Sequence, residues 1–230
     1  MRFFKRSCNI CNKENKTTGR ICESCLEIIK NHSRKRKCLK CGRVIPLEGE
    51  SFCHDCQTEK FDFDIAASVY IYEGTFKEAL LDFKFHGGFY RAKIFGQLMA
   101  EAVKKSGIKA DYIIPVPITF NSIRKRGYNQ ATEMALCMKH YIKTPIIPGA
   151  LIKKRKTAQQ SALKPKERRK NIKDAFKVSK LHINKIKGKS ILLADDVITT
   201  GATASECAKT LKEAGAEAVN VITLLISDWY

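Results

Sequence analysis

Residues 191–203 read Ile-Leu-Leu-Ala-Asp-Asp-Val-Ile-Thr-Thr-Gly-Ala-Thr, and this stretch decides the fold. Four apolar residues in a row predict a strand buried on both faces, as in a parallel sheet. Two carboxylates, Asp195 and Asp196, close the apolar run. A short Thr/Gly loop follows, and residues 203–214 carry a helical pattern stopped by Gly215. Strand, loop and helix in that order gather loop N–H groups and a helix N-terminus around one point, where a phosphate can bind. Gly201 lets the backbone approach such a ligand without a Cβ, and Thr199, Thr200 and Thr203 add hydroxyl donors. Asp195 and Asp196 can accept hydrogen bonds from vicinal sugar hydroxyls.

The same alternation extends in both directions. IAASVYIY (65–72) predicts a strand, and residues 75–85 and 89–105 predict amphipathic helices, with Gly87-Gly88 between them and Gly107 as a stop. DYIIPVP (111–117) predicts a buried strand ended by prolines, 129–141 a helix, and 146–152 an extended segment. Residues 153–173 are polar and strongly basic, partly helical at best, and EAVNVITLLI (217–226) predicts the last strand. Strands alternating with helices imply right-handed crossovers and a parallel sheet. The expected class is α/β, with helices flanking the sheet. Two units are expected: a small cysteine-rich one at 1–60 and the α/β one at 61–230.

Eight of the ten cysteines fall into four CxxC pairs: Cys8/Cys11, Cys22/Cys25, Cys38/Cys41 and Cys53/Cys56. Two CxxC knuckles supply four sulfurs to one tetrahedral zinc, so two structural Zn²⁺ are expected. All four ligand positions of each site are then cysteine, which leaves no open coordination position for chemistry. Pairing of neighbours in sequence is preferred over interleaving, although spacing does not settle it. Residues 1–60 lack long apolar periodic segments, so metal must supply much of their stability. Cys137 and Cys207 sit in predicted helices and read as packing residues.

The formal charge is +20, and it is concentrated. Residues 121–190 hold 20 Lys and Arg against 3 Asp and Glu, whereas 61–120 are balanced and 191–230 are acidic. Solubility does not require that concentration, which points to an anionic partner. Arg34-Lys35-Arg36-Lys37, between the two cysteine units, is a second basic run that could meet phosphate. No run of eighteen apolar residues is present to form a spanning helix, and MRFFKRSCNI has no apolar core of a secretion signal. A reducing, cytoplasmic location is the expectation, in keeping with metal-bound cysteines.

The 191–203 segment resembles the phosphoribosyl pyrophosphate (PRPP) signature of type I phosphoribosyltransferases: four apolar residues, two acids, then a T-G-x-T loop. Pro115-Val116-Pro117 ends a strand, and the expected loop to Tyr128 holds Arg124, Lys125 and Arg126. RKRGYNQ (124–130) is similar to the form seen in the ComF competence-protein family, as are Arg155, Gln160, Leu163, Arg168, Asn171, Phe176 and the four CxxC pairs. The basic 153–173 segment also resembles the loop that closes over PRPP in amidophosphoribosyltransferase. That enzyme's N-terminal cysteine nucleophile has no counterpart in Met1-Arg2.

The resemblance covers most of the chain and implies a type I phosphoribosyltransferase fold, Rossmann-like, behind a double zinc ribbon. It implies that Asp195, Asp196, Thr199, Thr200, Gly201, Ala202 and Thr203 bind PRPP, with the two acids the catalytic positions in a working enzyme. It implies pyrophosphate or DNA contacts at Arg124, Lys125, Arg126, Arg155, Lys156, Arg168 and Arg169, and Mg²⁺ accompanying PRPP. The implied partners are single-stranded DNA and a competence helicase or DNA-uptake subunit. The basic 121–190 block suits a polyanion longer than PRPP. Tyr128, Tyr141 and Phe176 could stack on bases, although core packing is the ordinary fate of most such rings. Three functions fit these residues. One is a ComF-type protein acting in DNA uptake and transformation. Another is a phosphoribosyltransferase of nucleotide salvage or synthesis, with acceptor and turnover left open. The third is a zinc-based interaction module with a degenerate PRPP site.

Overall fold

The structure, a computed structural model, describes residues 7–17, 19–46, 49–155 and 170–228. Its centre is a four-stranded sheet of β1 (Ala66–Ile71), β2 (Tyr112–Pro115), β5 (Ser190–Ile198) and β6 (Ala218–Ile226), ordered β1-β6-β5-β2. All three pairings are parallel. The two central strands carry the longest apolar runs, because both of their faces are covered. A small antiparallel pair, β3 (Leu151–Lys153) and β4 (Phe176–Val178), stands apart.

Among the described residues, the helices that flank the sheet and the cysteine units are α1 (Glu23–Arg34), α2 (His54–Thr58), α3 (Gly74–Phe85), α4 (Ala92–Ser106), α5 (Phe120–Arg126), α6 (Gln130–Met138), α7 (Ile183–Ile186) and α8 (Ala202–Glu213). One face of the sheet packs Leu192, Ala194 and Ile222 against α3, α4 and α6 through Phe76, Phe95 and Met134. The other packs Ile191, Leu193 and Val221 against α8 and Phe176. Side chains alternate along β5, so one strand feeds both cores. Among the described residues, no helix is long and apolar enough to cross a membrane.

The stretch before Tyr128, expected as loop, contains α5. Thr119 caps it by accepting from the Ser122 N–H at 3.3 Å, and Gly127 ends it. No residue of Phe-Asn-Ser-Ile-Arg-Lys-Arg is buried, so its helicity rests on the caps rather than on a buried face. Strand β4 was likewise hidden inside a basic stretch.

Each cysteine unit is welded to a different face of the sheet. Cys8, Ile10, Ile21 and Cys25 join the α3/α4 core, and Cys38, Cys41, Ile45 and Cys53 join the α8 core. The buried guanidinium of Arg91 fastens the first unit. It donates to Asn12 Oδ1 at 2.9 Å and to the carbonyl of Asn9, and pairs with Asp82 at 2.9 Å. The second unit lies directly on β1: the Ala66 N–H donates to Lys40 O at 2.7 Å, and a Cβ on Gly42 would come 2.7 Å from Ala66 O. Helix α1 joins the two units, and its buried His32 meets the Tyr70 ring edge-on at 4.9 Å.

Candidate phosphosugar site

Adjacent strands β2 and β5 send their chains to opposite faces of the sheet, β2 toward α6 and β5 toward α8. Their carboxyl ends diverge there, opening the crevice in which parallel α/β sheets bind ligands. Asp195 and Asp196 stand at that end of β5.

Asp196 is buried, accepts from Gln130 Nε2 at 3.0 Å and forms an ion pair with Lys84 Nζ. Asp195 faces the other core and accepts from the Asp196 N–H at 2.8 Å; Lys153 and Cys207 lie within its field. Burial, and then the charge of Asp196, push Asp195 well above the usual carboxylate range. Burial opposes ionisation of Asp196 as well. There the Lys84 ammonium and the hydrogen bonds from Lys84, Gln130 and Asp195 outweigh it and hold that group below the range. The pair therefore keeps one ionised carboxylate and one protonated one into a pH range where isolated acids have lost both protons.

The loop leaves β5 at Thr199 and turns at Gly201, whose φ of 75° is left-handed. The first bond of α8 runs from the Ser205 N–H to Gly201 O at 2.8 Å. The N–H groups of Ala202, Thr203 and Ala204 precede it and form the helix end that favours an anion. A Cβ at Gly201 would lie 2.7 Å from Phe61 Cε1, against a ring that stacks on Phe63. Gly201→Ala is therefore expected to cost roughly 1–3 kcal/mol of stability, since it combines a left-handed alanine with overpacking. It should also weaken phosphate binding. Urea unfolding and a phosphosugar titration check the two effects separately.

The basic residues divide. Arg126 on α5 donates to Gln130 Oε1 at 2.9 Å and lies over the Phe85 ring at 4.6 Å. A continuous chain, Arg126–Gln130–Asp196–Lys84, thus joins the basic helix to the acid pair. Arg124 and Lys125 are exposed on the same helix. Arg155 donates to the carbonyls of Asn171 at 2.9 Å and Lys173 at 2.5 Å, which ties together the two ends of the basic segment. Lys156, Arg168 and Arg169, with Gln160 and Leu163, lie outside the described residues.

The cysteines pair in sequence order. Cys8, Cys11, Cys22 and Cys25 form one cluster and Cys38, Cys41, Cys53 and Cys56 the other, each with its sulfurs within 4.8 Å of one another. Cys11 and Cys22 Sγ are 3.7 Å apart, and Cys41 and Cys53 Sγ 3.5 Å. A tetrahedron with ~2.3 Å metal–sulfur bonds has edges of about 3.8 Å, so both clusters fit Zn²⁺. Burial raises Cys8, but N–H groups of Cys11, Cys22 and Ile10 bring it down to about 7, toward the thiolate a metal needs.

Residues 87–228 match the phosphoribosyl transferase domain family. The chain belongs to that family. Residues 2–57 match the double zinc ribbon domain, in agreement with the two structural zinc sites. Over most of its length this phosphoribosyl transferase-family chain is similar to competence and DNA utilization proteins, as the ComF resemblance implied. It is 28% identical to Competence protein F of Haemophilus influenzae, covering 96% of this chain and 97% of that protein. It is 28% identical to Competence protein ComFC of Bacillus subtilis (92% and 86% covered) and 25% to the DNA utilization protein YhgH of Escherichia coli (93% and 87%). Similar solved structures include the glutamine PRPP amidotransferase of B. subtilis, at 20% identity over 62% of this chain and 30% of that one, with a TM-score of 0.39.

Sequence reasoning overlooked Lys84 and Arg43 and gave Gln130 no role. Lys84 looked like an ordinary cation in the last turn of a helix. Gln130 stood inside RKRGYNQ, where only the cations drew notice. Arg43 follows a CxxC pair and carried no signal of its own.

Proposed function

We propose that this chain is a ComF-type protein that binds PRPP with Mg²⁺ and single-stranded DNA and takes part in DNA uptake and natural transformation. The observation that carries the phosphosugar half is the acid pair Asp195/Asp196 set beside the N-terminus of α8 across the Gly201 turn. The loop N–H groups and the hydroxyls of Thr199, Thr200 and Thr203 would hold the 5-phosphate, and the acids the ribose hydroxyls. Arg124 and Arg126 would face the pyrophosphate end, where Mg²⁺ brought in with PRPP would supply charge neutralisation. The names of the relatives, competence protein and DNA utilization protein, support a role in handling DNA.

The DNA half is supported by exposed rings at the basic helix. Phe85, which lies under Arg126, is 54% exposed, and Phe120, the first residue of α5, 71%. Arg126 packs on Phe85, and Arg124 and Lys125 are the two residues before it on the same helix. Rings interleaved with cations form the platform that single strands use, with bases on the rings and phosphates on the cations. The rings first considered for stacking sit elsewhere: Phe176 is buried, Tyr128 donates to Phe83 O, and Tyr141 donates to Gln97 at 3.3 Å.

A labelled oligonucleotide should bind with an affinity that falls steeply with salt, in proportion to the phosphates neutralised. Phe85→Ala should weaken it roughly 5- to 100-fold while the salt slope stays the same, because stacking rather than charge is removed. Unchanged affinity would remove this face from the DNA site. Pyrophosphate release on adding a nucleobase with PRPP would instead favour a salvage phosphoribosyltransferase.

A further inference from the structure

The phosphate loop is held from outside its own domain, by the second cysteine unit. Arg43 follows the Cys38/Cys41 knuckle and is only 4% exposed, although it is a full cation. Its guanidinium is used in three directions. Nη2 donates to Thr199 O at 3.0 Å, Nε to Ser227 O at 3.0 Å, and Nη1 to Asp55 Oδ2 at 2.6 Å. Asp55 sits between Cys53 and Cys56, inside the fourth knuckle, so the cation is anchored on the second four-cysteine cluster.

The two carbonyls it holds matter for the site. Ser227 directly follows β6, and its N–H donates to Ile198 O at 2.8 Å, so the clamp sits where β5 becomes the phosphate loop. The peptide group is planar, so fixing the Thr199 carbonyl also fixes the Thr200 N–H, the first amide of that loop. The segment leaving the second unit repeats the hold. Ser205, in the first turn of α8, bonds Asp62 through its hydroxyl at 2.7 Å, and Phe61 lies under Gly201. By contrast, the first cysteine unit is fastened by Arg91 to the α3/α4 side.

We propose that Arg43 is a positioning residue for phosphosugar binding: anchored on the second four-cysteine cluster, it presets the 199–203 loop, so ligand affinity depends on that cluster. The proposal rests on reading this loop as the phosphosugar cradle. A loop already in its bound shape loses less entropy on binding, and that difference is what Arg43 supplies.

The test uses the full zinc-loaded chain, with Arg43→Gln, Arg43→Lys, Asp55→Asn and, as control, Arg91→Gln. Three quantities are read: zinc per chain, hydrogen exchange of the 199–204 amides without ligand, and affinity for PRPP with Mg²⁺. Arg43→Gln should keep both zincs, exchange the loop amides roughly tenfold faster or more, and weaken PRPP by roughly tenfold. Arg43→Lys should fall between it and the parent, since one ammonium cannot reach all three acceptors. Arg91→Gln should leave loop exchange unchanged. If Arg43→Gln loses zinc or unfolds, Asp55→Asn decides, with a smaller change in the same direction. Unchanged loop exchange and unchanged affinity in a zinc-loaded Arg43→Gln overturn the proposal, as does an equal effect from Arg91→Gln. If the parent itself does not bind PRPP, the phosphosugar reading fails instead, and loop exchange still decides whether Arg43 holds the loop.

Discussion

Replacing Asp195 and Asp196 together by asparagine is expected to abolish PRPP binding and to leave oligonucleotide binding largely intact. Hydrogen bonds to charged acceptors are each worth about 1.5–3 kcal/mol, so two lost acceptors correspond to roughly 10²–10⁴ in affinity. The double change also leaves Lys84, now without Asp196, in a mostly enclosed position, so some loss of stability accompanies it. Asp195→Asn alone keeps the Lys84–Asp196 pair and separates the two effects. The parent should show a pH dependence of its own. Asp195 is held protonated above the usual range by burial and by Asp196, and a sugar hydroxyl is accepted best by the ionised form. PRPP affinity should therefore rise as pH climbs through the raised Asp195 value, with a proton released on binding, and Asp195→Asn should flatten that rise. Calorimetry in two buffers of different ionisation heat measures it. For stability the sign is opposite: the raised pKa means the folded state holds its proton longer, so Asp195's contribution is lost as pH rises through the folded value.

The second large effect concerns zinc. Removing the metal, or replacing Cys41 by serine, should destabilise the whole chain rather than release an appended module. Cys38, Cys41 and Cys53 share one core cluster with Leu193, Val221 and Cys207, and Cys8 and Cys25 share the other with Phe95 and Met134. Structural zinc in small cysteine sites is worth on the order of 10 kcal/mol, comparable with the total stability of a domain. A loss of even ~5 kcal/mol corresponds to a fall in Tm of roughly 10–20 °C for a chain of this size. Thermal unfolding followed by circular dichroism, with and without chelator, checks this. Two separate transitions, the upper one indifferent to chelator, would show that the ribbons and the sheet are energetically independent.

The parts of this fold that were legible in the sequence are those whose environment is simple. β5 and β6 are buried on both faces and read as unbroken apolar runs, and α4 announces itself by its amphipathic stripe and Gly107. The four CxxC pairs declared two metal sites, whereas their pairing in sequence order, preferred but not settled by the sequence, comes from the structure. Helix α5 was missed because it buries no apolar face; Thr119 and Gly127 define it, and capping of about two turns looks like loop chemistry in sequence. The acid pair and the Thr/Gly loop lie where the strand–loop–helix order of the sequence put them, at the carboxyl end of β5 and before α8. Lys84, Gln130 and Arg43 were not legible, because each acts across the tertiary structure on a residue 112, 66 or 156 positions away. Nothing local marks a lysine that will neutralise a distant aspartate.

The most direct measurement is a calorimetric titration of the zinc-loaded chain with PRPP and Mg²⁺. Saturable binding of one PRPP per chain, abolished by Asp195→Asn with Asp196→Asn, is the predicted result. Heat of dilution alone, or the same affinity in the double variant, would contradict the assignment of Asp195, Asp196 and the 199–203 loop as a phosphosugar site.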